Sequence, residues 1–329
     1  MRPSINPTRR DILKSGLAAS ATLAVPSIVL ARPDEPKPPL RSGALRFAHL
    51  TDMHVQPELK ADQGYTAALR SLHELDPVPR FIVTGGDHVM DTFGQDAARS
   101  KLQWDLYDSV VKANWDRPAY PTIGNHDVWA WGKEQQHVDP ATPSYGKAMA
   151  CERFKLAKPY HSFDAGGWHF VCLDNIARRN FGYFGGLDDE QADWLRRDLE
   201  AASGRPTVVT THITLVGACL LMQEKRFDPK SNSYRVSDGI MHANVLPLVD
   251  LLRKHNVKLC LSGHMHMIDR VEFRGITFVC DGAVSGNWWK GPHLEFPEGY
   301  GVIDLHPDGT FVHQFVTYGW VAEKEQGGK

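Results

Sequence analysis

Five short apolar, β-branched runs in this chain each end on side chains of the metal-ligand type, and no other feature restricts its fold as tightly. Residues 44–50 lead into Asp52 and His54, and residues 81–84 into Gly85-Gly86-Asp87. Residues 120–123 lead into Gly124-Asn125-His126-Asp127, Thr207–Thr210 into His212, and residues 257–261 into Gly263-His264-Met265-His266. Short apolar runs bounded by turn residues read as strands buried on both faces, the habit of parallel sheets. In open α/β sheets the crevice beyond the carboxyl ends of the strands is where ligands bind. The pattern therefore collects Asp52, His54, Asp87, Asn125, His212, His264 and His266 at one edge. This mixed nitrogen and oxygen set suits two divalent metals.

Helical periods separate the runs. Tyr65, Ala68, Leu69, Leu72 and Leu75 form a stripe that predicts a helix over residues 63–75, and Leu102, Leu106 and Val110 predict one over 96–113. A third, over 188–201, opens on Asp188-Asp189-Glu190, an N-cap with an acidic first turn, and a fourth spans 242–255. Strands alternating with helices argue for βαβ units in a layered α/β protein. In the last third, residues 268–273, 276–280, 301–305 and 311–317 are strand-like, with turns at Arg274-Gly275 and Pro307-Asp308-Gly309. They predict a second, antiparallel-rich sheet closing a sandwich. Residues 130–149, with Trp129 just before them and Trp131 inside, are expected to form a loop near the site.

The N-terminus reads as a targeting segment. Thr8-Arg9-Arg10-Asp11-Ile12-Leu13-Lys14 resembles the twin-arginine export motif, with Ile12 where Phe is more usual. An Ala-rich, mildly apolar stretch follows, ending on Val29-Leu30-Ala31, which has small residues at the cleavage positions. We expect a signal peptide over residues 1–31, a Pro-rich linker over 32–43, a single domain over 44–320 and a tail over 321–329. An anchor helix or a chance Arg-Arg pair is the plain alternative. Export by the twin-arginine machinery would place the protein in the periplasm or outside the cell, with no permanent membrane span after processing.

The formal net charge is −2. Removing residues 1–31 would take away Arg2, Arg9, Arg10 and Lys14 against Asp11 alone, leaving the chain more acidic and a poor general nucleic-acid binder. The five cysteines are odd in number and show no Cys-x-x-Cys pair. Cys172, Cys260 and Cys280 sit in apolar runs and read as small buried hydrophobes, with one disulfide still open.

Each cluster is weak alone, but their order after successive strands is specific. With Asp52 and His54, then Asp87, then Asn125-His126-Asp127, then His212, and then His264 with His266, the chain resembles the calcineurin-like metallophosphoesterases over about residues 45–270. The resemblance implies an α/β fold, a four-layer α/β/β/α sandwich of two mixed sheets with flanking helices and a dinuclear site at the strand ends. It assigns Asp52, His54 and His266 to one ion, Asn125, His212 and His264 to the other, and Asp87 to a bridge between them. Two ions about 3.5–4 Å apart clamp a phosphoryl group and lower the pKa of a shared water from ~15.7 towards ~7, giving a hydroxide nucleophile. Mn, Fe, Zn or Co suits the donor set.

His126 is the expected general acid. Asp127 is expected to hydrogen-bond its other ring nitrogen and hold the tautomer. The resulting expectation is a phosphoesterase acting on a small phosphate ester, leaning to a diester. A phosphomonoesterase or a protein phosphatase is possible on the same core, and a non-catalytic metal-binding scaffold is the rival of another class. Arg178 and Arg179 would be the basic pair of a protein phosphatase, with a solvated basic turn as the plainer reading. His88, Trp288 and Trp289 are substrate-binding candidates, one Trp packing inward and the other flanking the site to stack on a base or cover an apolar leaving group. The plain alternatives are a solvated or ligand-supporting His88 and two Trp that both close the edge of the sandwich. Met222, Tyr183 and Phe184 are further pocket candidates.

Overall fold

An apolar run buried on both faces marks a strand but not which strands it pairs with. A computed structural model describes residues 29–30, 41–223 and 226–323. The expected signal and linker lie outside them apart from residues 29–30 and 41–43, as does the tail beyond residue 323.

The first sheet has the order β1 (Val29–Leu30), β16 (Phe311–Thr317), β15 (Gly299–Leu305), β2 (Leu45–Leu50), β3 (Ile82–Thr84) and β4 (Ala119–Pro121). The second runs β13 (Ile268–Phe273), β14 (Ile276–Asp281), β12 (Val257–Ser262), β9 (Thr207–Thr210), β6 (Trp168–Cys172) and β5 (His161–Ala165). Both are mixed. In the first, β2–β3 and β3–β4 are parallel while β15 lies antiparallel to β2 and β16. In the second, β6–β9, β9–β12 and β12–β14 are parallel, with antiparallel β5 and β13 at the edges.

Two expectations are corrected here. The five runs do not share one sheet: β2, β3 and β4 belong to the first, β9 and β12 to the second. Nor does the last third close a sheet of its own. The β13–β14 hairpin extends the second sheet, and β15–β16 crosses to the first. The connection between β14 and β15 carries the chain from one sheet to the other, with the Val284 and Ser285 amides bonded to the Thr51 and Asp52 carbonyls.

Alternate residues on the strands face opposite layers. Phe47, Val83 and Ile303 of the first sheet meet Phe170, Val208, Leu259 and Leu261 of the second in an apolar layer between them. Ala48, Leu50 and Ile82 face outward onto α1 (Ala61–His73) and α2 (Ala97–Asn114), through Tyr65, Leu69, Leu72 and Trp104. Val171, Val209 and Cys260 face outward onto α4 (Asp189–Ala201) and α5 (Leu246–Lys254), through Leu195, Leu199, Val249 and Leu252. The four layers are thus α/β/β/α, as the family resemblance implied.

The helix expected over 242–255 starts at Leu246, because the His242 and Ala243 amides are taken by Thr214 and Gly185 carbonyls and Pro247 then opens the helix. Between residues 145 and 185 lie elements the sequence reading did not separate. They are α3 (Ala148–Phe154), the edge strand β5, and the hairpin β7 (Ile176–Arg179)–β8 (Gly182–Gly185). A short hairpin, β10 (Phe227–Asp228)–β11 (Ser233–Tyr234), decorates the long connection to α5. All five cysteines are free thiols, with Cys172, Cys260 and Cys280 buried. Among the described residues no helix is long and apolar enough to cross a membrane.

Candidate metal centre

Leaving a buried strand abruptly requires backbone that ordinary residues avoid, and the site is built from it. Asp52, His54, Asp87, His264 and His266 all have positive φ, between 45° and 68°. Left-handed backbone costs a non-glycine residue roughly 1–2 kcal/mol, and such strain concentrates at functional sites. The glycines of the motifs allow the loops to close on one another. A Cβ on Gly263 would overlap Thr51 Oγ1 and Asp52 Oδ2, and one on Gly124 would overlap the Asp87 carboxylate.

These turns bring all seven predicted ligand residues together, four from the first sheet and three from the second. Asp52, His54 and His266 place donor atoms within 4.8 Å of one another, and so do Asp87, His212 and His264. His54, Asp87 and His126 form a third such group between them. Asn125 Oδ1 lies 3.0 Å from His212 Nε2.

The donor set has an unusual polarity. His266 Nδ1 donates to the Gly286 carbonyl (2.5 Å), His212 Nδ1 to that of Gly85 (2.8 Å) and His264 Nε2 to that of Gly239 (2.8 Å). When neutral, as a metal ligand must be, each ring turns a lone pair inward, since its one N–H is spent outward. Inside, His266 Nε2 faces His54 Nε2 at 3.1 Å and Asp52 Oδ1 at 3.2 Å. His264 Nδ1 faces His212 Nε2 at 3.1 Å, and His212 Nε2 faces Asp87 Oδ2 at 3.2 Å. Lone pairs converging on buried carboxylates fit a divalent cation in each half, so the residues present suit the group.

The local field agrees. Burial alone would raise the Asp52 carboxyl, but His266 and His212 overcome it and hold it below the usual range. Asp87 is held well below that range, because His212 and His126 outweigh its burial. Burial, with His126 beside it, drives His54 well below its ordinary value, and burial with His212 lowers His264 to about 4. His212 goes the other way, up to about 9, because Asp87 outweighs burial and draws a proton to the place a cation would take.

His126 stands at the mouth, its side chain 28% exposed. Its Nε2 is 4.0 Å from Asp87 Oδ2, and its ring meets His54 edge-on at 4.8 Å. Its partner is not Asp127, which corrects the expected pairing. Asp127 is fully buried and accepts from the amides of Asp87, His88 and Gly124 and from His88 Nδ1, so it holds two ligand loops together. The carboxylate nearest His126 Nδ1 is Asp91 Oδ1, at 3.7 Å. Asp91 was missed by the sequence reading; its one available signal was a second Asp in the loop of Asp87.

Other candidates divide sharply. His88 is wholly buried between Thr84 Oγ1 and Asp127, among Trp104, Tyr107 and Phe154, and does not open to the site. Trp289 is likewise buried, whereas Trp288 is half-buried with its ring 4.6 Å from that of His266. Tyr183, on β8, faces His264 at 6.0 Å, and its hydroxyl is pushed up by burial and by Asp87 and Asp52. Phe184 packs under Arg179, itself paired with Asp238. Arg178 lies over the Trp131 and Tyr145 rings.

A sequence model of the calcineurin-like phosphoesterases matches residues 45–267. The crystal structure of a dimetal phosphatase from Danio rerio is similar to this chain with a TM-score of 0.55 at 14% identity, covering 83% of this chain and 99% of that one. GAP50, described as the anchor in the inner membrane complex of Plasmodium, covers 84% and 85% at 17% identity, with a TM-score of 0.47. A search of curated proteins gave no match.

Proposed function

This chain belongs to the calcineurin-like phosphoesterase family, and from that premise we propose that it hydrolyses a phosphate ester, by choice a diester, at two divalent ions held between its sheets. Asp52, His54 and His266 would hold one ion and Asn125, His212 and His264 the other, with Asp87 shared. The observation that carries the reading is the pair of imidazole contacts, His54–His266 and His212–His264, each 3.1 Å across and flanked by ionised carboxylates. When bound, such ions neutralise phosphoryl charge and acidify water; Mn, Fe, Zn and Co all suit the donors.

The protein's own groups do the rest. The carbonyls of Gly85, Gly239 and Gly286 aim three imidazoles inward. His126, its side chain 28% exposed, protonates the departing alkoxide through Nε2, and Asp91 Oδ1 lies 3.7 Å from Nδ1 on the opposite side of its ring. Export by the twin-arginine machinery to the periplasm or beyond belongs to the same proposal, supported by Arg9-Arg10 and the Ala-rich stretch after them.

The test is metal analysis of purified protein with parallel assays on bis-nitrophenyl phosphate, nitrophenyl phosphate and cyclic AMP. About two ions per chain and turnover abolished by chelator are expected. Fewer ions together with no hydrolysis would overturn the reading, and turnover of the monoester alone would overturn the choice of a diester.

A further inference from the structure

The loop between β14 and β15 touches the metal centre at two points and presents a third group beside it. The Gly286 carbonyl accepts from His266 Nδ1, and Trp289 Nε1–H donates to the His54 carbonyl at 3.0 Å. Trp289 is the loop's anchor. It is 1% exposed and packs edge-on to Trp320, and its indole fills the space over Gly64 of α1, where any Cβ would overlap the ring. Trp288 and Trp289 both carry positive φ, 50° and 68°, a backbone that bulky residues rarely adopt. Turning Trp289 inward this way turns Trp288 out to the centre.

There the Trp288 ring lies 4.6 Å from His266 at 37°, 5.9 Å from His54, and 5.8 Å from His293 at 84°. It is half-buried, and its ring lies beside the two imidazoles assigned to one ion. A phosphate has little use for such a surface, since an indole offers one N–H and otherwise an apolar plane. A flat ring joined to the phosphate does match it, by stacking.

We propose that Trp288 is a stacking platform for a planar aromatic group on the ester, so that nucleoside and aryl phosphates are taken in preference to alkyl phosphates. The proposal rests on the phosphoesterase reading and names its substrate class.

The test compares adenosine 5′-monophosphate with glycerol 3-phosphate, and their methyl esters as diesters; in each pair the leaving groups match. In Trp288→Ala the ratio of kcat/KM, nucleoside to glycerol ester, should fall about tenfold through KM, and Trp288→Phe should restore most of it. Using a ratio within one variant cancels any loss of metal or folded protein. Independently, adenosine 5′-monophosphate should quench the tryptophan fluorescence of metal-loaded wild type and quench Trp288→Ala much less. An unchanged ratio, or equal loss on both esters, overturns the platform. Quenching that depends on Trp288, with no ester turned over at all, would overturn the phosphoesterase reading and leave the platform standing.

Discussion

At the scale of single residues, the roles divide by which atom each ring has left over. His264 and His266, on the Gly239 and Gly286 carbonyls, have spent their N–H and can only accept or ligate, while His212, on that of Gly85, turns its inner nitrogen to Asp87. His126 differs, because its Nδ1 is buried with no hydrogen-bond partner and its nearest carboxylate is Asp91. A group placed this way can carry a proton. His126→Ala should therefore lower turnover of alkyl esters by roughly 10²–10⁴-fold while nitrophenyl esters, whose leaving group needs no proton, lose far less; equal loss would end the general-acid role. Asp91→Asn keeps the shape and removes the carboxylate 3.7 Å from His126 Nδ1. Turnover of alkyl esters should fall more than that of nitrophenyl esters, and equal loss on both would count against Asp91 as the positioning carboxylate. Asp127 shows why adjacency misled. Neighbouring residues of a tight turn diverge, and Asp127 points back to the Gly124 amide while His126 points out.

At the scale of elements, what the sequence disclosed was the end of each strand. Residues 45–50, 82–84, 207–210 and 257–262 are apolar because both of their faces are covered, and polar ligands begin where that cover stops. Sheet membership was illegible for the same reason: a strand buried on both faces carries no mark of which neighbour it pairs with. The β7–β8 hairpin, rich in Arg and Gly, looked like a turn, yet it supplies Tyr183 beside His264. The long connection carrying β10–β11 was equally silent, although it delivers the Gly239 carbonyl that fixes His264. Helix starts were more open to reading. Asp96 accepts from the Arg99 amide at the head of α2. Asp96→Ala should cost about 1 kcal/mol in urea unfolding without altering kcat/KM; a loss of activity at unchanged stability would mean the cap reaches the site.

At the scale of the molecule, the two sheets are joined by apolar packing and by polar bolts near their shared edge. The candidate centre is one bolt, drawing ligands from both sheets. A second lies beneath it, where Asp281 on β14 accepts from His49 Nδ1 on β2 (2.7 Å) and His313 Nε2 on β16 (2.6 Å), all three wholly or nearly buried. A Cβ on Gly301 would overlap this carboxylate, so β15 must be bare where it crosses. Burial would raise the Asp281 carboxyl, but His313 and His49 outweigh it and hold it below the ordinary 3.8. Because the folded value lies below the unfolded one, the stability this group confers is complete above about pH 4. It is lost as pH falls from there towards the folded value, since the unfolded chain then takes up a proton that the native trio refuses. Asp281→Asn leaves two buried imidazoles without their anion and should cost about 3–5 kcal/mol at pH 7. Wild type and variant should draw together only as the pH drops below 4, with calorimetry showing the same gap at pH 7 and 5 and a narrower one at pH 3. A gap that stays constant across that range would mean that the trio holds the sheets by shape alone, with no contribution from its charge.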